Sequence, residues 1–118
     1  MKVHIVDYGM GNIFSVQKKL LKETGAVTIS SDTSDISKAD KIILVGVGHF
    51  KKAMDNLNDL NLIEPLNDFA IIKKKPILGI CLGMQLMATY SQEGGKVDGL
   101  NWVDAEVKKF KTSDLKKY

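Results

Sequence analysis

The stretch Pro76-Ile77-Leu78-Gly79-Ile80-Cys81-Leu82-Gly83-Met84-Gln85 decides the fold. Pro76–Ile80 is a near-continuous apolar run that reads as a strand, and it meets the single cysteine of the chain. Leu82–Tyr90 then reads as a helix. Glycines at 79 and 83 permit a tight turn and close packing of helix on sheet. A thiol placed there is held out of the sheet at the start of a helix, where unpaired amide N–H groups favour the thiolate. The expected geometry is a nucleophile elbow, in which the amide after the nucleophile, that of Leu82, can face a developing oxyanion. A cysteine taken alone is more often a small buried hydrophobe. Both glycines and the strand–turn–helix context favour the reactive reading.

Outward from this turn the chain alternates strand and helix. Lys2–Asp7 is a short apolar strand ending in the loop Asp7-Tyr8-Gly9-Met10-Gly11-Asn12. Asn12 is placed to cap a helix whose inner face carries Ile13, Val16 and Leu20, and Gly25 stands where that helix needs a left-handed residue. Ala26–Ser30 reads as a second strand and Ser31–Ala39 as a loop with a short helical turn. Lys41–Val45 is a third strand, nearly all apolar, as suits a parallel strand covered on both faces. It runs into Gly46-Val47-Gly48-His49-Phe50. Helical pattern resumes near Lys51 and again over Leu62–Lys74. Ser91–Gly99 is a glycine-containing loop, and Trp102–Phe110 alternates like a half-exposed strand. This order predicts an α/β fold of three layers, a mainly parallel sheet flanked by helices. Ligands of such sheets bind at the carboxyl ends of the strands. Three glycine-bearing loops, Tyr8–Asn12, Gly46–Phe50 and the Cys81 turn, are expected to converge there.

Composition excludes several classes. With 44% hydrophobic residues the chain can build a core. No run is apolar for long enough to span a bilayer, and the start leads straight into a strand, so a cytoplasmic protein with no membrane role is expected. One cysteine cannot make an internal disulfide. The net charge is only +3, every basic residue is lysine, and the lysines lie in short clusters, which argues against a nucleic-acid partner. Neither Gly9-Met10-Gly11 nor Gly46-Val47-Gly48 completes a phosphate-binding fingerprint, so a flavodoxin-like nucleotide binder is a weak reading. No metal or cofactor is expected.

Gly79–Gln85 resembles the cysteine signature of class I, triad-type glutamine amidotransferases. Asp7–Asn12, Gly46–Phe50 with Ala53-Met54, and Leu86 beyond the cysteine are similar to the glutaminase subunits of imidazole glycerol phosphate synthases. These motifs run in that family's order along the whole chain. The resemblance implies a class I amidotransferase domain over residues 1–118, flavodoxin-like in its layering and lacking its C-terminal part. It implies that Cys81 attacks the side-chain amide of glutamine, releasing ammonia and leaving a glutamyl thioester for hydrolysis. Leu82 N–H would be one oxyanion donor, and Gly46-Val47-Gly48 would supply the second through Val47 or Gly48. Gln85, Glu93 and Gly46 would line the glutamine site. Tyr8, Gly9, Met10, Gly11 and Asn12 would lie at the face meeting a (β/α)-barrel cyclase, giving a heterodimer that serves histidine biosynthesis.

Two departures stand out. Val45 occupies a position where the family usually has proline before Gly-Val-Gly. The family's catalytic histidine and glutamate lie far beyond the cysteine, in chains of about 200 residues, still within single-domain range. Here the histidines are His4, read as a strand residue, and His49, at a position where the family tolerates histidine. The 118-residue chain is therefore expected to be inactive alone and to expose an unpaired sheet edge. Two other readings are an ammonia-donating paralogue for surface-polysaccharide sugar modification and a truncated, non-catalytic assembly subunit.

Overall fold

The computed structural model describes residues Met1–Lys109. Strand β1 (Val3–Val6) is buried throughout and pairs in parallel with β2 (Val27–Ser30) on one side and β3 (Lys41–Gly46) on the other. Strand β4 (Ile77–Cys81) adds in parallel to β3, giving the order β2-β1-β3-β4. The register sets Gly46 opposite Cys81. The parallel sheet flanked by helices is the architecture expected from the alternating pattern.

The strand period divides the core into two. Along β3, Ile43 and Val45 face helix α1 (Ile13–Thr24), joining Val3, Ile5 and Val27 around Ile13, Val16 and Leu20. Ile42 and Leu44 face the opposite layer, which holds α2 (Thr33–Lys38), α3 (Phe50–Asp59) and α4 (Ile63–Asn67). Ile36, Phe50, Ala53, Leu57, Leu66 and Phe69 fill that side. Helix α4 runs on through one wide turn, Asp68–Ile72, in which Lys73 N–H donates to the Asp68 carbonyl at 2.8 Å. Helix α1 starts and stops where its sequence says. Asn12 Oδ1 accepts from Ser15 N–H at 3.3 Å, and Gly25, at φ 74°, donates its N–H to the Leu21 carbonyl at 3.1 Å.

The segment after the cysteine differs from the helix expected over Leu82–Tyr90. Helix α5 is a single turn, Leu82–Gln85, and the chain then forms β5 (Ala88–Ser91). The carbonyls of Leu86 and Met87, which a longer helix would pair four residues on, accept instead from Leu100, Trp102 and Val103 N–H at 2.7–2.9 Å. Thr89 and Tyr90 also favour the extended state. Strand β5 lies between β6 (Val97–Asp98) and β7 (Val103–Val107) in a second, three-stranded sheet. Trp102 Nε1–H donates to Asn67 Oδ1 at 2.6 Å and ties this sheet to α4. Phe110, the last residue of the expected Trp102–Phe110 strand, lies outside the described residues.

Strand β4 is an edge of the four-stranded sheet, and Leu78 on it is 56% exposed. Ile77, Gly79 and Ile80 on the same strand are half-buried.

Two glycines test separate physical demands. Gly25 needs its left-handed backbone but has open space around it, whereas a Cβ at Gly83 would collide with the Leu44 carbonyl oxygen and come within 2.6 Å of its carbon. Gly25→Ala is expected to lower stability by about 1 kcal/mol through backbone strain alone. Gly83→Ala should cost more, on the order of 3 kcal/mol, because backbone must move. Denaturant unfolding of the two variants checks the order; equal losses would refute it.

Candidate active site

The site begins at Cys81. Its backbone stands at φ 55°, ψ −121°, a conformation that residues with a Cβ rarely adopt. Such strain costs on the order of 1–3 kcal/mol and persists only where the surroundings enforce it. Here β4 pairing with Gly46 fixes one side, and the buried residues Leu82 and Gly83 fix the other. The consequence is an exposed, free thiol at the carboxyl end of a strand. The elbow read from the flanking glycines is present.

Glycine 83 lets α5 settle directly on the Leu44 carbonyl, and Gly79 admits the backbone of Met84, whose Cα would lie 2.6 Å from a Cβ there. Gly46 is the hub between the loops. A Cβ on it would collide with the Tyr8 hydroxyl and lie 2.9 Å from Leu82 Cβ and 3.1 Å from the Gly83 nitrogen. Gly11 sits equally close to the end of β3; a Cβ there would be 3.2 Å from Gly46 Cα. A Cβ on Gly48, at φ 113°, would meet Met10 Cε at 3.4 Å. The three glycine-bearing loops thus converge on one end of the sheet.

The individual residues fall into distinct settings. Val47 is exposed and Gly46 buried, so the Gly46-Val47-Gly48 loop rises out of β3 within two residues. Gln85 is half-buried, one turn after Cys81. Glu93 is exposed and shares a hollow of about 270 Å³ with Gly48, His49, Phe50, Gly94 and Lys109. Gly9, Gly11 and Asn12 are exposed and Met10 half-buried. Tyr8 differs from its loop neighbours: its side chain is 1% exposed and belongs to the core, so only its backbone borders the face expected to meet a partner.

Two supporting residues were not singled out from sequence. Asn56 Nδ2–H donates to the Tyr8 carbonyl at 3.0 Å, holding the Tyr8–Asn12 loop against α3. Buried Ser91 accepts from Glu93 N–H at 3.2 Å and shapes the turn that carries Glu93. A mid-helix asparagine carries no local signal for a contact 48 residues away, whereas the Ser91 contact spans only two residues and is a local serine turn.

The two histidines occupy different settings, His49 in the hollow with Gly48 and Glu93 and His4 in the core. His49 is exposed at the start of α3 and its side chain makes no capping bond. His4 is 1% exposed, with Nδ1 at 2.7 Å from Thr28 Oγ1 and, among the described residues, no partner for Nε2. Among the described residues no three metal-ligating side chains come together, and no helix is long and apolar enough to cross a membrane.

An exposed cysteine at positive φ on a strand-to-helix turn, beside glycine-bearing loops, gives this α/β domain the geometry of a nucleophile elbow. The family model for class I glutamine amidotransferases matches residues 4–117, and the chain belongs to that family. It is 46% identical over 108 residues to imidazole glycerol phosphate synthase subunit HisH 1 of Campylobacter jejuni (strain 81-176), covering 92% of this chain and 54% of that protein. It is 46% identical over 112 residues to subunit HisH 2 of Methanococcus maripaludis, covering 95% and 55%. With subunit HisH of Pelagibacter ubique the identity is 41% over 120 residues, covering 98% and 58%. The chain spans about half the length of the curated relatives it matches. Its fold also matches the 1.5 Å crystal structure of a protein described as a peptidase E from Listeria monocytogenes, with a TM-score of 0.65 at 18% identity over 87% of this chain and 63% of that one.

His4 generates a pH test. Burial lowers its pKa, and the Asp35 carboxylate, a backbone group of Ser30 and Asp32 only partly oppose this. The unfolded chain takes up a proton near the ordinary value of 6.5, while the folded chain resists it. Stability is therefore intact above that value and declines as pH falls from it toward the lowered folded value. The denaturation midpoint should drop between about pH 7.5 and pH 5.5. His4→Gln should flatten that slope; an unchanged slope in the variant would assign it elsewhere.

Proposed function

We propose that this chain carries the nucleophilic part of a glutaminase subunit that supplies ammonia to a (β/α)-barrel cyclase making imidazole glycerol phosphate, in cytoplasmic histidine biosynthesis. The observation that carries the reading is the strained, positive-φ Cys81 backbone, which presents the thiol at the carboxyl end of β4 beside Gly46. The HisH relatives support the choice of partner reaction. In this reading residues 1–118 form part of a single amidotransferase domain.

The thiolate of Cys81 attacks the side-chain amide carbon of glutamine, and the carbonyl oxygen takes up negative charge. Leu82 N–H donates to that oxyanion, joined by the N–H of Val47 or Gly48. A donor of this kind is worth ~3–4 kcal/mol of transition-state stabilisation. Collapse expels ammonia, which needs a proton to leave, and gives a glutamyl thioester. Water, relieved of a proton, then cleaves the thioester to glutamate and restores the thiol. Gln85, Glu93 and Gly46 line the substrate, with Glu93 facing its amino group. Gly9, Met10, Gly11 and Asn12 meet the cyclase.

Both proton transfers want a positioned acid–base group. His4 is sealed in the core, and the family resemblance puts the acid–base pair in the part of the relatives' length that this chain does not span. A non-catalytic assembly subunit would have no need of a strained, exposed cysteine, which favours the enzymatic reading.

Glutamate release by the natural protein carrying this chain, with and without its cyclase, tests the proposal. Turnover should depend on the partner and fall on the order of a thousandfold in Cys81→Ser. The 118-residue chain alone should lose about 10²–10⁴-fold for want of the acid–base group. Near-full activity in that chain, abolished by His49→Ala, would make His49 the base and overturn this assignment of roles.

A further inference from the structure

Tyr8 carries a group for which nothing above has a use. Its ring is among the largest fully buried side chains, and its hydroxyl has no hydrogen-bond partner among the described residues. Buried polar groups without partners are rare and call for a physical reason. Phenylalanine would fill the same space, beside Phe50, Leu82 and Leu44, with no hydroxyl to desolvate. The unpartnered oxygen is also specifically placed. It occupies the position that forbids a side chain at Gly46, and Gly46 is the residue paired with Cys81 and packed on Leu82 and Gly83. Burial raises the Tyr8 pKa, so the group stays protonated and keeps an O–H to donate. Asn56 fixes the Tyr8 backbone from α3, the helix into which the Gly46–Gly48 loop leads.

We propose that the Tyr8 hydroxyl is a positioning group for the cysteine site, donating a hydrogen bond to a backbone carbonyl of the Gly46–Gly48 loop when glutamine is bound, and so holding that loop against the Cys81 turn. The inference rests on the reading of this site as a glutaminase and deepens it. Gly46 supplies the nearest backbone, and a loop with glycine on both sides of Val47 can bring a carbonyl to the hydroxyl without moving the core. The hydroxyl, without a partner among the described residues, gains one when glutamine is bound. Binding energy is thereby directed to loop position, where a misplacement of about 1 Å can cost on the order of a hundredfold in rate. No proton is transferred; the bond only orients.

The test is Tyr8→Phe in the natural protein, assayed with its synthase partner. The variant should unfold at the same or higher denaturant concentration than the parent. Iodoacetamide should alkylate Cys81 at the parental rate, showing the elbow intact. The kcat for glutamine should fall about tenfold or more, with KM changed far less. An unchanged kcat would overturn the proposal and leave the glutaminase reading standing. A lower unfolding midpoint together with the lost activity would make the hydroxyl a structural partner and overturn it as well. A parent that releases no glutamate would overturn the glutaminase reading, and this assignment with it.

Discussion

Everything at the site depends on a backbone-to-backbone approach, the first turn of α5 lying on the Leu44 carbonyl. Gly83 is the residue that permits it, because any side chain there would strike that oxygen. The approach seats Leu82 in the core beside Gly46 and leaves Cys81 bent into its positive-φ backbone. Strain at a nucleophile is stable only when the packing around it leaves no alternative. Here the alternatives are closed by β3 on one side and by the core on the other. The thiol's exposure is therefore a consequence of packing two residues away.

Around that contact the molecule is assembled from loops with no regular structure to hold them. The Tyr8–Asn12 loop rests on Gly46 through Gly11 and is held to α3 by Asn56. The Glu93 turn is held by Ser91. Asn56 and Ser91 are polar side chains that satisfy backbone groups of these loops, one across 48 residues and one across two. Among the described residues the same accounting exposes two buried side-chain groups without partners, His4 Nε2 and the Tyr8 hydroxyl. One is a liability at low pH; the other lies against Gly46, at the base of the Gly46–Gly48 loop.

Much of this was legible in the sequence, for physical reasons. Strands buried on both faces announce themselves, as Ile42–Val45 does, and so do helix ends with a capping asparagine and a left-handed glycine, as Asn12 and Gly25 do. The elbow was legible because a cysteine between glycines at the end of an apolar run has few other geometries. The helix beyond Gln85 was misjudged because its stop lies in distant partners: the amides of Leu100, Trp102 and Val103 claim the carbonyls it would have used. The same non-locality hid the second sheet, Asn56 and the burial of Tyr8. A tyrosine in a glycine-rich loop reads as surface until the core that receives it is seen.

The central claim is that this packing makes Cys81 the group that attacks glutamine. The most direct measurement is to treat the natural protein with a diazo-ketone analogue of glutamine and map the adduct by mass spectrometry, with and without excess glutamine. The expected result is one adduct, on Cys81, suppressed by glutamine. An adduct on another residue with Cys81 untouched, or labelling of Cys81 that glutamine does not suppress, would contradict the account.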